Sequence, residues 1–528
     1  MAMATPWSCV FSRTDCRDQH ATVGCRGEVQ KEGVCTSACS KYLRERVCRG
    51  KTPPSVPTYD TLLPTEKMVS ASLKSVVLLA AVAAAKSGGN KCSSGKAAID
   101  NMKAHIKNVV LLVMENRSFD NILGGQTLKG LDNPYHKGPF CNPYNLTNPA
   151  GGEYCGVSRD YDSIADDPDH AVYGNNIEFY GTFNPSNEEI LSGKLVADQK
   201  GFVHEQLRLY DAGVNQTTLS EQVMNFYAEE QVPVLTSLVQ NFVTFNYWHS
   251  SIPGPTDPNR MSIVAGSSFG HGTNDAQFSD RGFNETGIFQ SLTERGYDWR
   301  NYHDPVGGTG PEASWFQWTF DSGNDDKIVD IDQFYTDAAA GALPSFSIIN
   351  PSCCGEDTTS MHPTGLVSLG EGLIKDVYDA LRASPQWEET LFILTYDESG
   401  GFYDHVAPSL APRPDNLTYT ATTPAGEDYT FNFDRLGGRM PTFLISPWVD
   451  KGFVEDLGVN SAGETVSYSA TSILRTLGYL FDIEPYNPRV EWSPSFEKLF
   501  NTKVRETVDQ LPEADPFRLR PRWFRNRK

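Results

Sequence analysis

The chain has 528 residues and a formal charge of −21, from 45 Lys and Arg against 66 Asp and Glu. An acidic surface of this kind repels phosphate backbones, so no nucleic-acid partner is expected. Apolar residues make up 39% of the chain, enough for a large core, yet no stretch reaches the roughly 18 apolar residues of a membrane span.

Six of the eleven cysteines lie in the first 48 residues, which carry no periodic apolar pattern. A second methionine, Met68, opens a stretch in which Lys74 precedes an apolar run from Val76 to Ala85. A basic start, a short apolar middle and an A-x-A end make a secretory signal peptide, expected over 68–85. Translation from Met68, an extension over 1–67 that is absent from the mature protein, and a secreted, extracellular product follow as expectations. The alternative is a genuine cysteine-rich module joined by a linker across Pro53–Pro64. Asn145, Asn215, Asn284 and Asn416 each open an Asn-X-Thr glycosylation acceptor, in agreement with export. Asn116-Arg-Ser also matches, but it lies at the presumed site and is expected to be unmodified. Of the cysteines left after processing, Cys141 and Cys155 bracket a Gly/Pro/Asn-rich loop and are expected to pair. The adjacent Cys353 and Cys354 are left open between bonded and free.

From residue 105 to 495, short apolar runs alternate with helical stretches. That pattern reads as an α/β domain, a mostly parallel sheet covered by helices. Strands are expected at Val109–Met114, Ser345–Ile349, Leu391–Tyr396 and Thr442–Ser446. Helices are expected at Leu219–Glu230, stopped by Pro233, at Leu366–Leu381 and at Thr471–Phe481. Residues 122–200 and 405–435 are Gly/Pro/Asn/Asp-rich and read as long loop excursions above the sheet, where substrates are usually shaped. The end, 496–528, reads as a basic tail, solvated or in peripheral contact with an anionic membrane surface.

Three stretches carry chemistry. The apolar run Val109–Met114 stops at Glu115 and Asn116, and in open α/β sheets chemistry gathers beyond the carboxyl ends of strands. Leu391–Tyr396 runs in the same way into Asp397 and Glu398, then Gly400 and Gly401. Together these ends form an oxygen-rich cluster suited to a hard divalent cation; the plain alternative is separate strand caps facing water. The third stretch, S-S-I-P-G-P-T-D-P-N-R, puts Thr256 at a helix start. There a hydroxyl serves as an N-cap, or meets a phosphoryl group drawn by the helix dipole. Asn259 and Arg260 add donors suited to phosphate oxygens. His170, His362 and His405 are candidates for a proton donor to a leaving group or for further ligands, with His303 and His271 behind them.

E-N-R-S-F-D at 115–120, T-D-P-N-R at 256–260 and D-E-S-G-G-F-Y-D-H-V at 397–406 stand in this order. In that order they resemble the phosphoesterase family of non-specific phospholipases C and acid phosphatases, in the alkaline-phosphatase-like superfamily. The resemblance extends over roughly residues 106–490 and implies a three-layer α/β/α sandwich with a hydroxyl nucleophile phosphorylated during turnover. Carried over, it makes Thr256 the nucleophile and Glu115, Asp397 and Glu398 the ligands of one divalent metal ion of unknown identity. It makes Asn116, Asn259 and Arg260 phosphate contacts, with His170 and His362 beside the scissile group. Ser399 and Ala470 depart from the pattern, standing where many members carry His. The implied activity is phospholipase C-type cleavage of phospholipids to diacylglycerol and a phosphorylated head group. Two alternatives stand: an acid phosphatase acting on small soluble phosphate esters, and a non-catalytic secreted surface protein on the same scaffold.

Overall fold

The computed structural model describes residues 95–210, 214–306, 310–514 and 517. The expected extension over 1–67, the signal peptide and the basic end 518–528 lie outside these residues.

All seven residues of the first strand, β1 (Asn108–Met114), are buried. A run that is apolar on both faces needs cover on both, so it sits inside the sheet. The further strands of that sheet are β2 (Val243–Phe245), β3 (Trp299–His303), β4 (Ile328–Asp330), β5 (Phe346–Asn350), β6 (Thr390–Tyr396), β7 (Phe443–Ile445) and β8 (Phe453–Glu455). They lie in the order β8-β2-β7-β6-β1-β5-β3-β4. Every pairing is parallel except that β7 runs antiparallel to both β6 and β2. The four expected strands are therefore present, within two residues at each end. The other four are three to five residues long and too short to give a periodic signal.

Among the described residues, the helices that cover the sheet include α1 (Gly95–His105), α2 (Pro233–Asn241), α3 (Thr256–Ala265), α4 (Ile331–Ala340), α5 (Val367–Ala383) and α6 (Thr471–Phe481). Helix α6 packs against α1 and α3, and α5 against α2 and α4, which gives the two outer layers of an α/β/α sandwich. The expected helix Leu219–Glu230 is corrected. The helix there is Gln216–Val223, with the Asn215 side chain capping Thr217 N. Pro233 does not stop it; it opens α2, where a missing N–H costs no helical hydrogen bond. The tail boundary moves as well. Phe496, Leu499, Phe500 and Leu511 are buried in the main apolar cluster, so the domain continues past 495.

Cys141 and Cys155 are bonded across a two-strand ribbon, as expected, and Cys353 is bonded to Cys354. Asn145, Asn215, Asn284 and Asn416 are all exposed, whereas Asn116 is fully buried. Among the described residues no helix is long and apolar enough to cross a membrane.

Candidate active site

Strands β1 and β6 are neighbours in register, Met114 beside Tyr396, so their polar ends emerge together. Asp397 stitches the two turns. Its Oδ1 accepts from the N–H of Asn116 at 3.1 Å and of Glu398 at 2.7 Å, and its own N–H donates to Met114 O at 3.0 Å. Asn116 takes φ 53°, the left-handed region that Asn tolerates better than most residues. Gly400 takes φ +67°, and a Cβ there would lie 2.3 Å from Asn116 O, so the second turn closes on the first only with glycine.

Arg260 ties α3 to this edge. Its guanidinium is fully buried and reaches Asp397 Oδ2 at 3.0 Å, Glu115 Oε1 at 3.1 Å, Glu312 Oε1 at 3.0 Å and Val113 O at 3.1 Å. The expectation that Arg260 holds phosphate is thereby corrected, because its fork is committed to carboxylates. Asn259 is corrected too. Its Nδ2 donates to Gly254 O at 2.7 Å and Pro255 O at 3.2 Å, and its Oδ1 accepts from Ile252 N at 3.0 Å. Asn259 thus folds the proline loop over the start of α3. That loop and that clamp have one result. Thr256 lies four residues before Arg260 on the same helix face, so the clamp holds it toward the ends of β1 and β6.

The histidines come from the long excursion after β1 and from the loop before α5. His170 Nε2 lies 3.4 Å from Asn116 Nδ2, a long contact that leaves the ring nitrogen uncommitted, while Nδ1 donates to Pro168 O at 2.8 Å. His362 stands nearly perpendicular to it, ring centres 6.1 Å apart, and both face Asp167 Oδ2 at 3.9 Å. Burial pulls the His170 pKa down, but Glu398, Asp167 and Asp169 lift it to about 9, so it carries a proton at neutral pH. Burial pushes the Glu398 carboxyl upward, with the charge of the facing His170 opposing the shift and Asp397 adding to it.

The carboxylates fit a cation. Glu115, Asp397 and Glu312 against one guanidinium leave two negative charges in excess. Glu398 Oε1, Asn116 Oδ1 and Glu312 Oε2 are buried acceptors without a hydrogen-bond partner, a condition that costs stability unless something positive fills it. Of the expected ligands, Glu398 therefore has an oxygen to spare. Glu115 and Asp397 are first of all partners of Arg260, and Asn116 joins the candidate ligands.

Sequence reasoning missed Glu312, which sits in a Pro/Gly-rich excursion without a motif, and Asp167, one carboxylate among several in D-D-P-D-H. It also missed Asp257, whose buried Oδ1 has no partner. Burial raises the Asp257 carboxyl to about 7, with Arg260 opposing and Glu115, Asp397 and Glu312 adding. Cys353 Sγ abuts Glu115 Oε2. His405 is a structural residue, with Nδ1 2.7 Å from Asp120 and Nε2 2.7 Å from Asp132 beside the buried Arg439. Ser399 packs against Gly438, and Ala470 is fully buried.

The sequence pattern of the phosphoesterase family matches residues 106–484. Non-specific phospholipase C6 of Arabidopsis thaliana is 34% identical over 78% of this chain and 76% of its own. Non-specific phospholipase C3 of the same plant is 31% identical over 78% and 77%. Hemolytic phospholipase C of Pseudomonas aeruginosa is 25% identical over 78% of this chain and 58% of its own. A solved alkaline phosphatase superfamily protein from Vibrio parahaemolyticus shares 14% identity over 50% of this chain and 63% of its own, with a TM-score of 0.31. A likeness that slight carries no weight.

Proposed function

The chain belongs to the phosphoesterase family and is a hydrolase of phosphoric esters, and we propose that it is a secreted phospholipase C. In this reading it cleaves phospholipids on the glycerol side of phosphorus, releasing diacylglycerol and a phosphorylated head group. The observation that carries the mechanism is the Arg260 clamp, which holds the start of α3 against the ends of β1 and β6. The names and coverage of the Arabidopsis relatives support the substrate class.

Thr256 Oγ attacks phosphorus in line, and the positive end of α3 favours the charge that builds on the equatorial oxygens. Glu398 and Asn116, backed by the charge of Glu115 and Asp397, would hold a divalent cation, which when bound favours the alkoxide form of the hydroxyl and offsets phosphoryl charge. Protonated His170 gives its Nε2 proton to the departing alkoxide, and His362 and Asp167 hold the surrounding charge. Neutral His170 then takes a proton from water, which attacks the phosphothreonine and releases the phosphorylated head group, while Thr256 Oγ regains from solvent the proton it gave up to solvent on attack. The signal-like stretch 68–85 and the four exposed Asn-X-Thr sites support secretion.

The test is incubation with a phospholipid and with a soluble aryl phosphate monoester, each with and without a chelator. Chelator-sensitive diacylglycerol release is expected. Free phosphate from the monoester alone would replace this reading with a phosphatase. Silence on both substrates would indicate a scaffold without activity.

A further inference from the structure

On the same edge of the sheet as the candidate active site lies a cavity of about 400 Å³ that the mechanism does not use. Its walls include Tyr247, Val406, Leu410, Leu457, Val466 and Trp492, with His249 among them. Its size falls within the range of pockets that hold small organic ligands. Topology places it. Strands β2 and β8 run parallel to β6, so the residues that follow all three strands share one edge of the sheet. Tyr247 and His249 follow β2, Leu457 follows β8, and Val406 and Leu410 follow the turn after β6. At the usual spacing of about 4.8 Å per strand, β2 lies roughly 10 Å from β6 and its Asp397–Glu398 turn.

The backbone of Gly437 and Gly438 links the cavity wall to that turn. His249 Nδ1 donates to Gly437 O at 2.8 Å. On the neighbouring residue, a Cβ at Gly438 would lie 2.5 Å from Ser399 Oγ. His249 itself is fully buried and its Nε2 has no partner. Burial, with Arg439 nearby, pulls its pKa to about 4 although Gly437 O opposes the shift, so the imidazole is neutral. A cavity that is uncharged and mostly apolar, with Ser409, Thr465 and Ser467 as its remaining lining residues, has no use for a soluble phosphomonoester. It fits hydrocarbon, which a phospholipid places within a few bonds of its phosphate.

We propose that this cavity is an acyl-chain subsite, in which one fatty acyl chain of the phospholipid lies while its phosphate is held at the Thr256–Glu398 site. The inference rests on the phospholipase reading above and adds to it the part of the substrate that decides chain-length preference.

The test compares wild type with Val466→Trp, which fills the cavity, and Leu457→Glu, which puts a charge at a position 41% exposed and so tolerant of change. Substrates are long-chain and short-chain phosphatidylcholines in mixed micelles, and a soluble aryl phosphocholine diester with no acyl chain. Both variants are expected to lose about tenfold in kcat/KM on the long-chain lipid, in keeping with losses seen when apolar pocket contacts are removed. Activity on the aryl diester should stay within about twofold, which also reports an intact fold and active site. Equal losses on all substrates, or no loss on the long-chain lipid, would overturn the subsite while leaving the phospholipase reading intact. Wild-type hydrolysis of the aryl diester with no diacylglycerol from either lipid would overturn the phospholipase reading, and the subsite with it.

Discussion

Arg260→Met is the variant that examines the clamp most directly. The methionine matches much of the arginine stem but removes a guanidinium that is fully buried and shared by Glu115, Asp397 and Glu312. Removing one partner of a buried ion pair typically costs about 3–5 kcal/mol, because the charges left behind are neither solvated nor paired. Three carboxylates remain here, so the upper part of that range is expected, against a total stability of about 5–15 kcal/mol. Urea unfolding followed by tryptophan fluorescence measures it. Glu312→Gln keeps the shape, removes one of the three charges and should cost less. In the double variant the two effects should fall short of their sum by about 1.5–3 kcal/mol, the signature of residues in contact. Additivity within about 0.5 kcal/mol, or an Arg260→Met variant as stable as wild type, would refute the clamp.

Three further predictions follow. Thr256→Ala should lose at least about 10³-fold in kcat while its unfolding midpoint stays where wild type has it; undiminished turnover ends the nucleophile assignment. Gly400→Ala forces a Cβ to 2.3 Å from Asn116 O; it should cost about 1–3 kcal/mol and at least about tenfold in activity, and wild-type kinetics would show that the two turns need not touch. His405 is 8% exposed between Asp120 and Asp132, near Arg439 and Asp404. Burial alone would lower its pKa, but the two carboxylates raise it from 6.5 to about 9. A raised pKa stabilises the fold fully below 6.5 and progressively less up to 9, so up to about 3 kcal/mol should be lost over that window. His405→Gln should be less stable at pH 6 and should flatten that slope, and an unchanged slope in the variant would assign the pH dependence to other groups.

The frame of the molecule was legible where burial is two-sided. Val109–Met114 and Leu391–Tyr396 carry long apolar runs because they lie inside the sheet, and such runs are hard to mistake. The strands Ile328–Asp330 and Phe453–Glu455 were not legible: they are three residues long and only half buried. At the site, Glu115, Asn116, Asp397 and Glu398 could be grouped because each follows a strand at once. The task of Arg260 could not be read, since a forked cation suits a carboxylate as well as a phosphate, and three-dimensional position decides which it meets. Glu312 offered no signal at all. It contributes its charge from the short 3-10 helix Glu312–Trp315, brought in by the path of the chain between β3 and β5. The place of His405 in a structural network likewise depended on Asp132 and Arg439, which are distant in sequence.

The central position of β1 has a consequence for how the molecule is made. Its partners in the sheet, Phe346 opposite Val109 on one side and Leu391 on the other, lie roughly 240 and 280 residues downstream. During synthesis the most apolar strand of the domain emerges long before either neighbour exists, so it waits with both edges open. Pairings this distant close slowly. The candidate site is assembled across them, with Asp397 and Glu398 following β6, so no fragment ending before β6 carries it. A chain stalled or cut before residue 390 would therefore be inactive and aggregation-prone, which ties the yield of active protein to whatever shields β1 in the interval.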